Sequence, residues 1–227
     1  MPPYFWPMIE RHIHFLRVEH PAAAETADGA RDRLAAKFSR GALRRMTHLG
    51  LLVGSTVDGL AIGLDDTVVY ATTYAETRAL EDYLTSFPEA SPLLFQTSIH
   101  PSAVQQVLIG RQQPVRRFFP LTGRRRLVEQ ALLTALIDPA PQVVLLGGEE
   151  RGTWMLDHGM ASDRAFAFAL SLRAEPVGAI GRVAFAPDGA DQETGPCPTL
   201  PDFAEALAGR REMHWRGAGG GFTLQWS

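Results

Sequence analysis

The sequence predicts an α/β domain built on a mixed, mainly parallel sheet of the five-stranded type, with helices on both faces. Three observations carry that expectation. Residues 67–74, Thr-Val-Val-Tyr-Ala-Thr-Thr-Tyr, are β-branched and aromatic, as a buried strand requires. Residues 143–146, Val-Val-Leu-Leu, are apolar without alternation, the mark of a strand covered on both faces. Between them, Leu127, Val128, Ala131, Leu132, Ala135 and Leu136 recur every three to four residues on a strong helix former.

The remaining elements follow in order. Residues 1–29 read as an N-terminal arm on a single domain spanning 1–227. Aromatics, His12 and His14 are mixed without a period over 4–18, and 21–29 is small and acidic. A helical pattern from Ala30 breaks at Gly41 and resumes through Leu43-Arg44-Arg45-Met46; Leu51, Leu52, Val57 and Leu60 place a helix over 51–62, weakened by Gly54 and Gly59. Asp65-Asp66 end it, and the strand 67–74 is followed by a helix over 76–87 that stops at Pro88. Ser91-Pro92 opens the segment 95–100. Pro101 suits a first helical turn, so 102–109 forms a helix ended by Gly110. A short strand over 114–120, a helix over 124–137 closed by Pro139 and Pro141, and the strand 143–146 complete the alternation. Beyond it, 165–172 and 179–185 are expected as two strands joined by a turn at 176–178. A polar loop over 188–198, a helix over 200–208 and a terminal strand over 222–226 follow.

Composition narrows the function. The chain has 227 residues, 45% of them hydrophobic, enough for one sizeable core. Its 22 basic and 25 acidic residues leave a net charge of −3, which gives no global attraction to nucleic acid or membrane. The single cysteine, Cys197 between Pro196 and Pro198, permits no internal disulfide, so a cytoplasmic setting is expected. Pro2, Pro3, Pro7, Glu10 and Arg11 interrupt the N-terminus, which lacks the apolar run of a signal peptide or a membrane span.

Arg44-Arg45-Met46, Tyr70-Ala71-Thr72-Thr73-Tyr74, Ser91-Pro92 with Phe95-Gln96-Thr97-Ser98-Ile99-His100, and Leu145-Leu146-Gly147-Gly148-Glu149 occur in an order and spacing that resembles the N-terminal half of β-ketoacyl synthases. The likeness covers about 40–185 and is nearest to the short synthase-like domains of aryl polyene and type II polyketide pathways. It implies a thiolase-like half-domain. It also implies a catalytic cysteine at the turn between a strand and a buried helix, some twenty residues before the Gly-Gly strand. That count lands near Thr122, in Leu121-Thr122-Gly123-Arg124-Arg125-Arg126. A helix N-terminus there would lower a thiol's pKa and aim amides at an acyl oxygen; a threonine hydroxyl without a neighbouring base cannot replace the thiol. The resemblance therefore implies a non-condensing accessory protein of a type II fatty-acid or polyketide system. Its expected partners are an acyl carrier protein or an active ketosynthase, in a homo- or heterodimer, since a lone half-domain would leave Leu127, Leu132, Leu133 and Leu136 partly uncovered; the alternative is that the C-terminal hairpin and helix cover that face. The competing reading is an enzyme that hydrolyses, transfers or decarboxylates an acyl thioester through Ser98, His100 or Thr122. A third is an interaction protein that has lost acyl recognition.

Arg111, Arg116, Arg117, Arg124, Arg125 and Arg126 fall in one short stretch without an acidic residue. Such a patch suits an acidic carrier protein and its phosphate-bearing arm, Arg being favoured for bidentate phosphate contacts. The bland alternative is a solvated face paired with Glu149, Glu150 and Asp157. Ser98 and His100 invite a hydrolase reading, yet no carboxylate in the sequence is identifiably placed to orient the ring and there is no Gly-x-Ser-x-Gly elbow, so a structural histidine is expected. His12, His14 and His20 lack the spacing and companions of a metal site, and no glycine pattern marks a cofactor loop.

Overall fold

The computed structural model describes residues 8–22, 25–187 and 195–227. The chain begins with β1 (Ile9–Glu19), α1 (Ala27–Leu34), α2 (Arg40–Leu43), α3 (His48–Thr56) and β2 (Thr67–Thr72). It continues through α4 (Thr77–Thr85), α5 (Pro92–Ser98), α6 (Ser102–Gly110), β3 (Arg117–Thr122), α7 (Leu127–Ile137) and β4 (Gln142–Glu149). The last part holds α8 (Trp154–Asp157), β5 (Phe166–Arg173), β6 (Gly181–Pro187), α9 (Leu200–Ala208), β7 (Met213–Gly217) and β8 (Gly220–Trp226).

Among the described residues eight strands form one sheet in the order β3-β2-β4-β5-β1-β6-β8-β7. The α/β class holds, with helices on both faces, but the expected sheet of five mainly parallel strands is corrected. Only β2 with β3 and β2 with β4 are parallel; every other neighbouring pair is antiparallel. Two further expectations change. The proposed arm is not an arm over 9–19, because β1 lies inside the sheet, paired to β5 through Ile13–Leu172 and to β6 through Ile13–Gly181. Residues 1–7 and 23–24 of that arm lie outside the described residues, as do 188–194 of the expected polar loop. The two strands expected as a hairpin, β5 and β6, are not paired with each other, since β1 sits between them. Buried Arg11 anchors that insertion by donating to the carbonyls of Ala140 (3.0 Å), Leu172 (3.4 Å) and Asp138.

The parallel strands explain their own composition. Val68, Tyr70, Val144 and Leu146 face α3 and α6, while Val69, Ala71, Val143 and Leu145 face α7 and α9. Both faces are dry, so no polar alternation survives. Gly147 is required where Phe168 lies across β4: a Cβ there would meet the ring at 2.3 Å. Gly147→Ala should therefore overpack the core and destabilise the protein by about 1–3 kcal/mol, read as a lowered midpoint in thermal unfolding. An unchanged midpoint would contradict the packing.

The apolar stripe of α7 is not left bare as expected of a half-domain. Leu127, Leu132 and Leu136 are buried, covered by α9 with Phe203 and Leu207 and by the β7–β8 hairpin with Trp215 and Phe222. The C-terminal third thus stands where a partner was expected. The edges of the sheet are β3 and β7. Because the Gly123 amide points to Thr72 O (3.4 Å), the alternation of the strand turns position 120 outward, where Pro120 has no N–H to offer.

Candidate functional site

The chain leaves β2 toward the face carrying α6 and leaves β3 toward the face carrying α7. Adjacent parallel strands whose connections run to opposite faces open a crevice at their carboxyl ends, the usual place for a site in such sheets. Here a cavity of about 340 Å³ lies at that point, lined by Thr73 and Tyr74 after β2, Arg124 and Leu127 around the start of α7, Glu149 ending β4, and Arg164. A larger cleft of about 600 Å³ adjoins it through Asp163, Arg164 and Pro201.

Four buried glutamates brace the loops and helices around this region, and Glu149 among them lines the cavity. Glu150 accepts from the amides of Leu49 (3.0 Å) and Arg78 (3.1 Å), in the first turns of α3 and α4. One carboxyl therefore caps two helices. Glu76 accepts from the Ala103 amide (3.1 Å) at the start of α6, and Glu81 accepts from the amides of Thr153 (2.7 Å) and Met155 (2.8 Å) around the start of α8. Glu149 takes the Thr73 amide and the Thr72 hydroxyl (3.4 Å), holding the loop that follows β2. Each carboxylate satisfies helix or loop amides that have no partner of their own. Burial pushes Glu149 up to about 7 and Glu150 up to about 8, outweighing the amide donors that favour the ionised form. These roles were not legible in the sequence, although two ionisable residues directly after a strand with two dry faces are a signal of buried carboxyls. Neither pairs with the arginines suggested for them.

Thr122 ends β3, exposed and in parallel register with Thr72. The buried helix does not begin beside it. α7 starts at Leu127, and its N-cap is Arg126 in a left-handed conformation (φ 59°), with its guanidinium on the Glu129 carboxylate (2.7 Å). Arg124 to Arg126 thus precede the helix rather than burden its first turn, and the hydroxyl of Thr122 is not presented at a helix N-terminus. Cys197 instead approaches that first turn, beside Arg126 and the amide and carboxylate of Glu129, where burial, followed by the Glu129 charge, raises its thiol. A thiolate is disfavoured. Alkylation of Cys197 by iodoacetamide at pH 7 should be slower than that of a free thiol and accelerate above pH 9; a fast reaction at pH 7 would contradict this environment.

Ser98 and His100 do not form a pair. Ser98 Oγ donates to Phe95 O (2.8 Å) within α5, whereas His100 Nδ1 donates to Glu76 Oε2 (3.0 Å) and the ring stacks on Tyr70 with centroids 5.4 Å apart. The orienting carboxylate that the sequence did not reveal is Glu76. His100 Nε2 is buried, and no nucleophile meets it among the described residues. This is a packed histidine below α6.

The six arginines do not make one patch. Arg111 binds the carbonyls of Val57 (2.6 Å) and Leu60 (3.3 Å), Arg117 lies 3.5 Å from Asp138, and Arg116 lies 4.0 Å from Asp65, all at the amino end of β3 or before it. Arg124, Arg125 and Arg126 lie beyond the opposite end, with Arg124 over the Tyr74 ring at 4.9 Å. Internal partners consume most of this charge. Among the described residues no group of three or more His, Cys, Asp or Glu could hold a metal, and His14 is tied to Glu175 O (2.7 Å). No described helix is long and apolar enough to cross a membrane.

No family model and no curated protein matches the chain. Solved structures do. A chain from the complex of the ketosynthase ApeO with its chain length factor ApeC from Xenorhabdus doucetiae superposes with a TM-score of 0.65 at 16% identity, covering 96% of this chain and 99% of that one. The tetronic acid condensing enzyme AbyA1 (TM-score 0.41, 13% identity, 82% and 60% coverage) is more distant. So is the ketosynthase of module 6 of the bacillaene synthase from Bacillus subtilis 168 (0.45, 10%, 82% and 43%). The first superposition shows that this chain has the thiolase-like fold of ketosynthases over nearly its whole length.

Proposed function

We propose that this ketosynthase-fold chain is a non-condensing accessory subunit that works beside an active ketosynthase in a type II fatty-acid or polyketide pathway, with aryl polyene assembly the nearest case. The turn between β3 and α7 carries the reading. Its residues Thr122-Gly123-Arg124-Arg125-Arg126 hold no thiol, its helix starts too late to activate the threonine, and Cys197 sits where ionisation is opposed. The match in length and fold to a chain from a ketosynthase complex supports the same reading.

The expected behaviour is binding without chemistry. Light scattering after size exclusion, run with and without a ketosynthase of such a pathway, should give a mixed dimer; mass spectrometry of acyl carrier protein thioesters incubated with the chain alone should show no loss of acyl groups. A chain that ignores the ketosynthase, or one that turns over the thioesters by itself, overturns the proposal.

A further inference from the structure

The lining of the 600 Å³ cleft divides by chemistry. Pro21, Ala165 and Pro201 give it rigid apolar surface, while Arg78, in the first turn of α4, and Arg151, two residues after β4, give it charge. The backbone under both arginines is pinned. The Arg78 amide donates to Glu150 (3.1 Å), and beyond Arg151 the Gly152 amide donates to Ser162 O (3.0 Å) and the Thr153 amide to Glu81 (2.7 Å). Gly152 lies so close to the neighbouring segment that a Cβ there would meet the Ala161 Cβ at 2.2 Å, so only glycine permits this approach. Other charges at the cleft are already matched: Arg33 binds Glu25 through two bonds (2.7 and 2.9 Å), and Arg164 binds Glu205 (2.6 Å). Among the described residues neither the Arg78 nor the Arg151 guanidinium makes a hydrogen bond. Arg78 comes only to 3.5 Å from Glu81 and 3.6 Å from Asp82, and Glu81 already accepts from Thr153 and Met155.

We infer that this cleft binds a small organic monoanion, its carboxylate on Arg78 and Arg151 and its apolar body against Pro21, Ala165 and Pro201. Guanidinium donors left without partners are available for charge-assisted bonds to a carboxylate, and a pinned backbone lowers the cost of ordering them. A concave, largely apolar site with a few placed polar groups is the usual form of a small-ligand pocket, and its volume falls within the ordinary range of about 300–1,000 Å³. Asp163, also in the lining, opposes a second negative charge, so a carboxylate is favoured over a phosphate dianion. Burial holds the His48 imidazole at the cleft below its ordinary value, so at pH 7 it is neutral and the charge is read by the arginines. The site goes beyond the accessory-subunit reading and needs no partner chain.

Isothermal titration calorimetry of the full chain at pH 7 with 2-naphthoate, neutral 2-naphthamide and inorganic phosphate tests it. The carboxylate should bind with a Kd below about 1 mM, and the amide and phosphate at least about tenfold more weakly. The R78M/R151M variant should lose at least about tenfold in affinity for 2-naphthoate. Ala27→Trp, at an exposed position in the same lining, should lose as much by filling the space. Circular dichroism should show folded spectra for both variants, and the comparison of the three probes on the parent stands without them. Failure of the parent to bind 2-naphthoate, equal affinity for the amide or for phosphate, or undiminished affinity in either folded variant overturns the inference. None of these results touches the mixed dimer with a ketosynthase, which is measured separately by light scattering.

Discussion

Replacing Glu150 by alanine is expected to cost the protein about 3–5 kcal/mol, whereas Glu150→Gln, which orphans one amide and not two, should cost about 1–3 kcal/mol. The carboxyl is 1% exposed and accepts from the first turns of two helices, through Leu49 and Arg78. Alanine strands both amides in a buried position, and each orphaned group carries its own desolvation penalty. Glutamine loses little charge, since burial already favours the protonated acid with a pKa of about 8, but the two amides reach different oxygens, so it keeps an acceptor for one and faces the other with an NH2. For a chain of this size the alanine variant should unfold of the order of 10 °C earlier. The readout is thermal unfolding followed by circular dichroism at pH 7. Equal midpoints for parent and alanine variant would mean that the carboxyl is not the shared cap of α3 and α4.

The second large effect is a loss of stability as the medium becomes more alkaline. Glu149 and Glu150 have folded pKa values of about 7 and about 8, both above the ordinary 4.5. The folded state thus binds their protons more tightly than the unfolded chain does. The resulting stabilisation is complete below about pH 4.5 and is lost as pH rises through the folded values, at about 1.4 kcal/mol per unit for each group in its window. Burial shifts His48 in the opposite sense, below 6.5, so its contribution varies only under that pH and leaves the interval above it to the carboxyls. Between pH 6.5 and 8.5 the parent should lose roughly 2–3 kcal/mol, and an E149Q/E150Q variant should be nearly flat. Chemical denaturation at the two pH values measures it. A parent as stable at pH 8.5 as at 6.5 would show that the two carboxyls are already ionised in the fold.

Much of the architecture was legible because it is local. The dry strands β2 and β4 and the stripe of α7 announce their own faces through composition and period, and the ordered motifs from Arg44 to Glu149 were enough to identify the thiolase-like fold. The absence of a cysteine from residues 121–126 was equally plain. Other features were hidden because their causes are distant in the chain. β1 reads as irregular since its side chains are mostly half-buried and its pairing to β5 and β6 is made with residues about 160 positions away. β5 and β6 look like a hairpin because proximity in sequence favours that pairing until β1 takes the space between them. The glutamate caps, the Glu76–His100 contact and the internal partners of Arg111 and Arg117 are all made between segments, and no periodicity reports them.

By itself the sequence determined which segments have buried faces, that residues 121–126 hold no thiol, and where cations are concentrated. Tertiary structure alone decided which strand lies beside which, what covers α7, and which of those cations remain free. The physical reason is that a side chain's burial preference is written in its own chemistry, whereas the identity of the group that meets it depends on how remote segments are brought together.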